Sequence, residues 1–267
     1  MIIDSKEWSK TPFIFVHVPK TGGMSILNSM SCWNTIYHEN IEHDIEKIKK
    51  KKEDPDSYFK FTTIRNPWDR MVSNFFFHKQ RIHNDVTLHE KYFTEKEKKE
   101  LKKWIVLHEL EDLFWKKYEF KDWLKFLEEE TSESKNISTL EEETSENKSL
   151  YTNVIMKNYM DLIAINNKIS VDYIINIHDF KRDLNLIKIL SGKPFNDPKH
   201  IWKNKSNHND YREYYDSKSI EIVEKIFKKD IEVFNFKFDV KEHAEYKKYI
   251  NEDRVKEFIN KVSFGVI

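Results

Sequence analysis

The stretch FIFVHVPKTGGMS, residues 13–25, decides the fold of this 267-residue chain. Its first six residues are almost all apolar or β-branched and predict a buried strand, which Pro19 ends because proline cannot donate to a strand ladder. The loop that follows holds two of the chain's four glycines, and a helical pattern begins directly after it. A strand, a glycine loop and a helix present backbone N–H groups to an anion, and Lys20 adds a positive charge there. The stretch therefore predicts a phosphate-binding loop.

A second strand-like run, Phe59–Ile64, leads into the sequence RNPWDRMVS at residues 65–73. Asn66 is a typical N-cap, and the proline and aspartate that follow it suit the first turn of a helix. Arg65 is therefore expected at a strand end, with a helix starting just after it. Ser73 lies two turns along that helix, so a phosphate held by Arg65 could also reach its hydroxyl.

Together these motifs resemble those of sulfotransferases that use 3′-phosphoadenosine 5′-phosphosulfate (PAPS), in particular the bacterial and Golgi carbohydrate sulfotransferases. PKTGGxS resembles their 5′-phosphosulfate loop, and RNPxDRxxS resembles their 3′-phosphate motif. The loop is not a Walker A sequence, because Lys20 precedes the glycines. Residues 202–215 resemble the family's C-terminal loop, which folds over the nucleotide. The similarity spans about residues 13–236 and implies an α/β, three-layer, P-loop-like fold with a central parallel sheet flanked by helices.

The resemblance implies PAPS as co-substrate, without a metal, and transfer of its sulfuryl group to a hydroxyl acceptor, expected to be a saccharide. It assigns cofactor binding to Lys20, Thr21, Gly22, Gly23, Met24, Ser25, Arg65, Ser73, Lys203, Asn204, Lys205 and Ser206. Lys20 is also expected to be catalytic, because a cation lowers the barrier where charge develops on the bridging oxygen. Met24 stands where the family usually has Thr, so only its backbone N–H can serve a phosphate. His178 replaces a usual Glu.

A general base for the acceptor hydroxyl is expected to be a histidine between the two motifs, again by resemblance. His38 is the first candidate, and His43 and His17 are the alternatives. The aromatic residue that stacks on adenine is left open among three candidates: Trp68, Trp202 and Tyr211.

Composition and charge limit the other possibilities. The formal net charge is zero, but residues 128–149 hold eight Glu and two Lys, so the remainder carries a surplus of six basic residues. This surplus suits an anionic cofactor and is too small for a nucleic-acid-binding surface. No run of about 18 apolar residues and no signal peptide is evident. The single cysteine, Cys32, excludes an internal disulfide. We expect a cytoplasmic protein, with peripheral membrane association or a removed Golgi-type anchor as alternatives.

The chain is interpreted as one domain over residues 1–267. Residues 128–149 contain the repeated sequence EEETSE and predict a low-complexity acidic surface insertion, and residues 237–267 predict a helical tail. A β-hairpin is predicted over residues 161–175, and a helix from Asp179 to about Leu190. The aromatic residues that follow the second motif are interpreted as core.

Two competing functions remain open at this point. The chain could be a non-catalytic nucleotide- or phosphate-binding protein that retains the loop, or a P-loop kinase with a degenerate motif. Neither the acceptor nor the oligomeric state can be derived from the sequence.

Overall fold

A computed structural model gives the architecture of the protein. It describes residues 2–3, 9–30, 39–81, 119–133, 156–193, 206–240 and 245–264. Within these ranges no helix is both long enough and apolar enough to cross a bilayer.

A four-stranded sheet forms the centre of the fold. Its strands are β1 (Ile2–Ile3), β2 (Phe13–Val16), β3 (Phe59–Ile64) and β6 (Tyr173–Asn176), in the order β1-β2-β3-β6. β2, β3 and β6 are parallel, and β1 is an antiparallel edge strand. The three parallel strands are buried on both faces, except for the half-buried first residue of β6, as expected when helices cover both sides of a sheet. Their carboxyl ends lie at one edge, which is where the two predicted motifs begin.

Helices cover both faces of the sheet. They are α1 (Gly23–Ser29), α2 (Ile41–Lys50), α3 (Pro67–Arg81), α4 (Phe120–Glu133), α5 (Tyr159–Ile163), α6 (Phe180–Ser191), α7 (Ser217–Ile226), α8 (Lys228–Phe234) and α9 (Glu252–Ser263). One apolar cluster joins α1, α6 and α9 to the sheet, and the other joins α2, α3, α4, α5, α7 and α8 to its opposite face. The prediction of a three-layer α/β fold with a mostly parallel central sheet is therefore confirmed.

The predicted hairpin over residues 161–175 is correct only in its centre. Its turn is real, since Asn166 and Asn167 both have positive φ between two short strands, β4 (Ala164–Ile165) and β5 (Lys168–Ile169). The residues before it form helix α5, and those after it form β6 of the main sheet. The helix predicted from Asp179 is α6, and Gly192 ends it in the left-handed conformation.

Two other predicted segments are only partly within the described residues. Helix α4 continues to Glu133, so the first six residues of the predicted acidic insertion are helical, and residues 134–149 lie outside the described ranges. The segment after residue 244 packs onto the sheet, because Phe258 of α9 is fully buried with its ring 5.4 Å from that of Phe59. The extent of the domain at both ends stays a prediction.

Candidate functional site

The two motif loops lie side by side at the carboxyl edge of the sheet. β2 and β3 are neighbouring strands, and Val16 pairs with Thr62 near their ends. At this edge, the hydroxyl oxygens of Thr21 and Thr63 are 2.5 Å apart, and the Thr21 hydroxyl also donates to the Val18 carbonyl oxygen at 2.8 Å. The fully buried Thr21 side chain therefore fixes the loop to the second strand, and only its backbone can face a ligand.

The glycine loop has the tight backbone that the sequence predicts. Lys20 and Gly22 have φ of 64° and 90°, a region that glycine adopts freely and lysine rarely. At Gly23 an added Cβ would lie 2.0 Å from the imidazole ring of His17, so only glycine allows this close approach. The Ser25 N–H donates to the Gly22 carbonyl at 2.9 Å. The Met24 side chain packs against an apolar cluster.

Arg65 joins the two motifs. Its Nε and Nη2 donate to the two carboxylate oxygens of Asp69 at 2.6 and 2.8 Å, which is a bidentate ion pair. Its Nη1 donates to the carbonyl oxygen of Lys20 at 3.2 Å. The guanidinium therefore has a fixed position against the glycine loop, with its side chain 13% exposed. The guanidinium of the second motif and the backbone of the first are therefore in direct contact.

A buried tyrosine, Tyr159, forms hydrogen bonds with the backbone of Arg65. The Tyr159 hydroxyl accepts from the Arg65 N–H at 3.1 Å and donates to the Arg65 carbonyl at 2.7 Å. Tyr159 is itself held by Asp230, whose carboxylate accepts from the N–H groups of Tyr159 and Met160 at 2.6 and 3.1 Å. Burial raises the pKa of Asp230 to about 7, although these two N–H groups and the nearby Arg70 act in the opposite direction. Sequence reasoning missed both Tyr159 and Asp230.

Ser73 and Ser206 meet although 133 residues separate them in the chain. Their hydroxyl oxygens are 3.1 Å apart, and both residues are buried. Each was predicted to contact the nucleotide from a different motif, so the fold brings the C-terminal loop at residues 202–215, the third motif, to the second motif at Ser206. The other predicted residues of the third motif, Lys203, Asn204 and Lys205, lie outside the described residues, as does His38.

The side chain of Lys20 lies on helix α3. Its Nζ is 3.6 Å from the centre of the Phe77 ring, which is a cation–π contact. Two turns before Phe77, Arg70 Nε donates to the Pro19 carbonyl at 3.2 Å. The face of α3 that carries these residues therefore packs against the glycine loop. The sequence interpretation placed Phe77 in the core, and nothing in its local pattern indicated a contact with the loop lysine.

The two described histidine candidates have different surroundings. His43, in the first turn of α2, has Nε2 3.2 Å from a carboxylate oxygen of Glu39, and its side chain is 46% exposed. His17 is buried, with its ring stacked on Phe15 at 5.5 Å and pressed against Gly23. A carboxylate beside an imidazole is the usual way to orient a histidine base.

Two of the three candidates for adenine stacking are parts of the core. The Trp68 side chain is 1% exposed, and its indole N–H donates to the Ile220 carbonyl at 3.3 Å. Tyr211 is also buried, and its hydroxyl donates to the Phe238 carbonyl. Neither ring is exposed for stacking in this arrangement. Trp202 lies outside the described residues.

A shallow surface pocket of about 450 Å³ lies at the start of α6. Its lining residues are His178, Asp179, Lys181, Arg182 and Asn185. Two other residues of this segment, Ile177 and Phe180, lie against the glycine loop, with side-chain atoms 3.4 and 3.6 Å from a Cβ placed on Gly22.

Comparison with known proteins gives one match. A family model described as "Sulfotransferase family" matches residues 9–237. Neither the curated proteins nor the solved structures gave a match. Within the described ranges, no group of three or more His, Cys, Asp or Glu side chains is arranged to hold a metal ion.

Proposed function

Because the chain belongs to the sulfotransferase family, we propose that it transfers the sulfuryl group of PAPS to a hydroxyl of a saccharide acceptor. The observation that carries the proposal is the convergence of three separate motifs. Arg65 contacts the backbone of Lys20 at 3.2 Å, and the hydroxyls of Ser73 and Ser206 are 3.1 Å apart. A nucleotide that carries both a 5′-phosphosulfate and a 3′-phosphate has an anionic group for each of these places.

In the proposed reaction the acceptor oxygen attacks sulfur and forms a new S–O bond. The S–O bond to the 5′-phosphate breaks, so the products are a sulfate ester and 3′,5′-diphosphoadenosine. Negative charge develops on the bridging oxygen as that bond breaks, and Lys20 with the loop N–H groups is assigned to stabilise it. Arg65, Ser73 and Ser206 are assigned to the 3′-phosphate. The proposal needs no metal ion.

The proton of the acceptor hydroxyl goes to a general base, for which we propose His38. His43 is the alternative, and its contact with Glu39 supports it because the carboxylate would stabilise the imidazolium that forms. His17 is the least suitable of the three, since its ring is packed beneath Gly23. Alanine variants made separately at these three positions identify the base. The variant that removes the base should lose about 10²–10⁴-fold in kcat and keep its nucleotide affinity.

A saccharide is proposed as acceptor because the two motifs resemble those of carbohydrate sulfotransferases, and the pocket at the start of α6 offers hydrogen-bonding side chains. Carbohydrate hydroxyls can bond to such groups, whereas a sterol would leave them unpaired. Lys181→Ala and Asn185→Ala should raise the KM for a saccharide acceptor without changing the affinity for the nucleotide. An acceptor panel of oligosaccharides, phenols and tyrosine peptides decides the class.

Two measurements test the donor and the reaction. In thermal melting, 3′,5′-diphosphoadenosine should stabilise the protein and ATP with Mg²⁺ should not, whereas a P-loop kinase would show the reverse. Transfer of labelled sulfate from PAPS to the acceptor panel should be lost in Lys20→Ala and should be unaffected by EDTA. If the nucleotide binds but no acceptor and no water receives sulfate, the protein is a non-catalytic binder.

A double-mutant cycle tests the 3′-phosphate site. Ser73→Ala and Ser206→Ala should each weaken binding of 3′,5′-diphosphoadenosine, and their effects should be coupled by about 0.5–1.5 kcal/mol because the two hydroxyls would bond to the same phosphate. Additive effects would show that the two serines do not share a ligand.

A further inference from the structure

Asn74 is a buried amide that the proposed reaction does not yet use. Its side chain is 2% exposed, and neither Oδ1 nor Nδ2 has a hydrogen-bond partner among the described residues. An amide in this state destabilises a protein, because both groups have lost water without gaining another partner. An apolar side chain of similar size would be more stable at this position.

The position of Asn74 on helix α3 places it next to the glycine loop. Arg70, four residues before it, donates to the Pro19 carbonyl, and Phe77, three residues after it, carries the Lys20 ammonium on its ring. Residues at these spacings share one face of a helix. Asn74 therefore lies on the face that packs against residues 19 and 20, and Ser73 is its neighbour in the chain.

We propose that the Asn74 amide N–H groups donate hydrogen bonds to the sulfuryl oxygens of bound PAPS, which makes Asn74 a catalytic residue of this enzyme. The proposal rests on the proposed function, since it needs PAPS as donor. Sulfuryl oxygens only accept hydrogen bonds, and Nδ2 supplies two donors with no competing partner among the described residues. The Lys20 ammonium lies on this face of α3, over the Phe77 ring. Its cation–π contact is weak compared with an ion pair to a phosphosulfate, so PAPS binding is expected to draw Lys20 from Phe77 and open the face.

The test compares two nucleotides that differ only in the sulfuryl group. Dissociation constants for PAPS and for 3′,5′-diphosphoadenosine are measured without acceptor on wild type, Asn74→Leu and Asn74→Ala, the second in case leucine does not fit. Asn251→Leu is the control, because Asn251 caps α9 near the opposite edge of the sheet by accepting from the Arg254 N–H. Melting temperatures and the slow transfer of sulfate from PAPS to water are recorded for each protein.

The expected result is a loss confined to the sulfuryl group. Asn74→Leu should raise the dissociation constant for PAPS about tenfold or more and should leave that for 3′,5′-diphosphoadenosine within about twofold of wild type. Its melting temperature should be no lower than that of wild type. Transfer to water should fall in parallel. The control should melt lower with an unchanged ratio of the two affinities. Equal effects on both nucleotides, no effect on either, or a lower melting temperature with both affinities reduced would overturn the proposal. If wild type transfers no sulfate and does not bind PAPS, it is the proposed function that fails.

Discussion

The substitution Tyr159→Phe isolates the contact that holds the backbone of Arg65. It removes one oxygen atom from a fully buried residue and keeps the ring. That oxygen accepts from the Arg65 N–H and donates to the Arg65 carbonyl. Burial raises the pKa of Tyr159 to about 12, so the hydroxyl keeps its proton, and therefore both bonds, at any pH used for an assay.

The size of the effect follows from the two groups that lose their partner. A buried backbone N–H or C=O without a partner costs about 1–3 kcal/mol, and partial burial here favours the lower half of that range, so the free energy of unfolding should fall by about 2–4 kcal/mol. For a chain of this length the melting temperature should fall by roughly 4–12 °C. Arg65 would also lose its fixed position beside Lys20, and the affinity for 3′,5′-diphosphoadenosine should fall about tenfold.

The assay is denaturant unfolding and calorimetric titration with 3′,5′-diphosphoadenosine. Tyr249→Phe is the matched control, since it also loses one tyrosine hydroxyl, which donates to the Val233 carbonyl at 3.0 Å, away from the two motifs. The control should lose about 1 kcal/mol and keep its nucleotide affinity. If Tyr159→Phe behaves like this control in both measurements, Tyr159 does not position Arg65 and the reasoning is wrong.

Three further substitutions probe the site and the domain. Arg65→Lys should weaken 3′,5′-diphosphoadenosine binding at least about tenfold, because an ammonium cannot reproduce the bidentate contact of a guanidinium. Arg212→Lys is the control, since Arg212 forms an exposed bidentate pair with Asp210, and its nucleotide affinity in calorimetric titration should be unchanged. Burial raises the pKa of Asp230 to about 7, so its contribution to stability is present at low pH and is lost as pH rises through about 7. Between pH 5 and 8, the free energy of unfolding in urea should therefore fall on the order of 2–3 kcal/mol more for the wild type than for Asp230→Asn. Parallel pH dependences of the two proteins would contradict this assignment. Phe258→Ala should lower the free energy of unfolding by about 3–5 kcal/mol in a single transition, and a separate early transition would show that α9 folds as an independent unit.

Local chemistry was sufficient to predict the two motifs. Phe59–Ile64 is a strand with the predicted bounds, and helix α3 begins at Pro67 with the Asn66 side chain accepting from the Trp68 N–H at 3.0 Å. These features depend on residues within a few positions of each other. The strand order was not predicted. The approach of Arg65 to Lys20 depends on the pairing of β2 with β3, which are far apart in the chain.

The features that the sequence did not reveal depend on distant partners. Residues 161–163 belong to helix α5 where a strand was predicted, because Asp230, about 70 residues later, accepts from the N–H groups at the start of that helix. Tyr159 appeared as one aromatic residue among many, and its role depends on Arg65, 94 residues before it. Phe77 has the pattern of a core residue, and only the position of Lys20 in space shows its second contact.

The segment that follows residue 237 shows why the site depends on more of the chain than the three motifs. The Asn66 amide donates to the carbonyls of Lys237 and Val240 at 3.0 and 3.1 Å, and the Tyr211 hydroxyl donates to the Phe238 carbonyl. Residues 237–240 thus connect the first residue after Arg65 to the turn that follows Ser206. The matched family region ends at residue 237, yet this connection sets the distance between the second and third motifs. Backbone carbonyls of residues 237–240 therefore help to fix the distance between Ser73 and Ser206, on which 3′-phosphate binding is proposed to depend. Every residue has a backbone carbonyl, so no sequence pattern could have revealed this contribution.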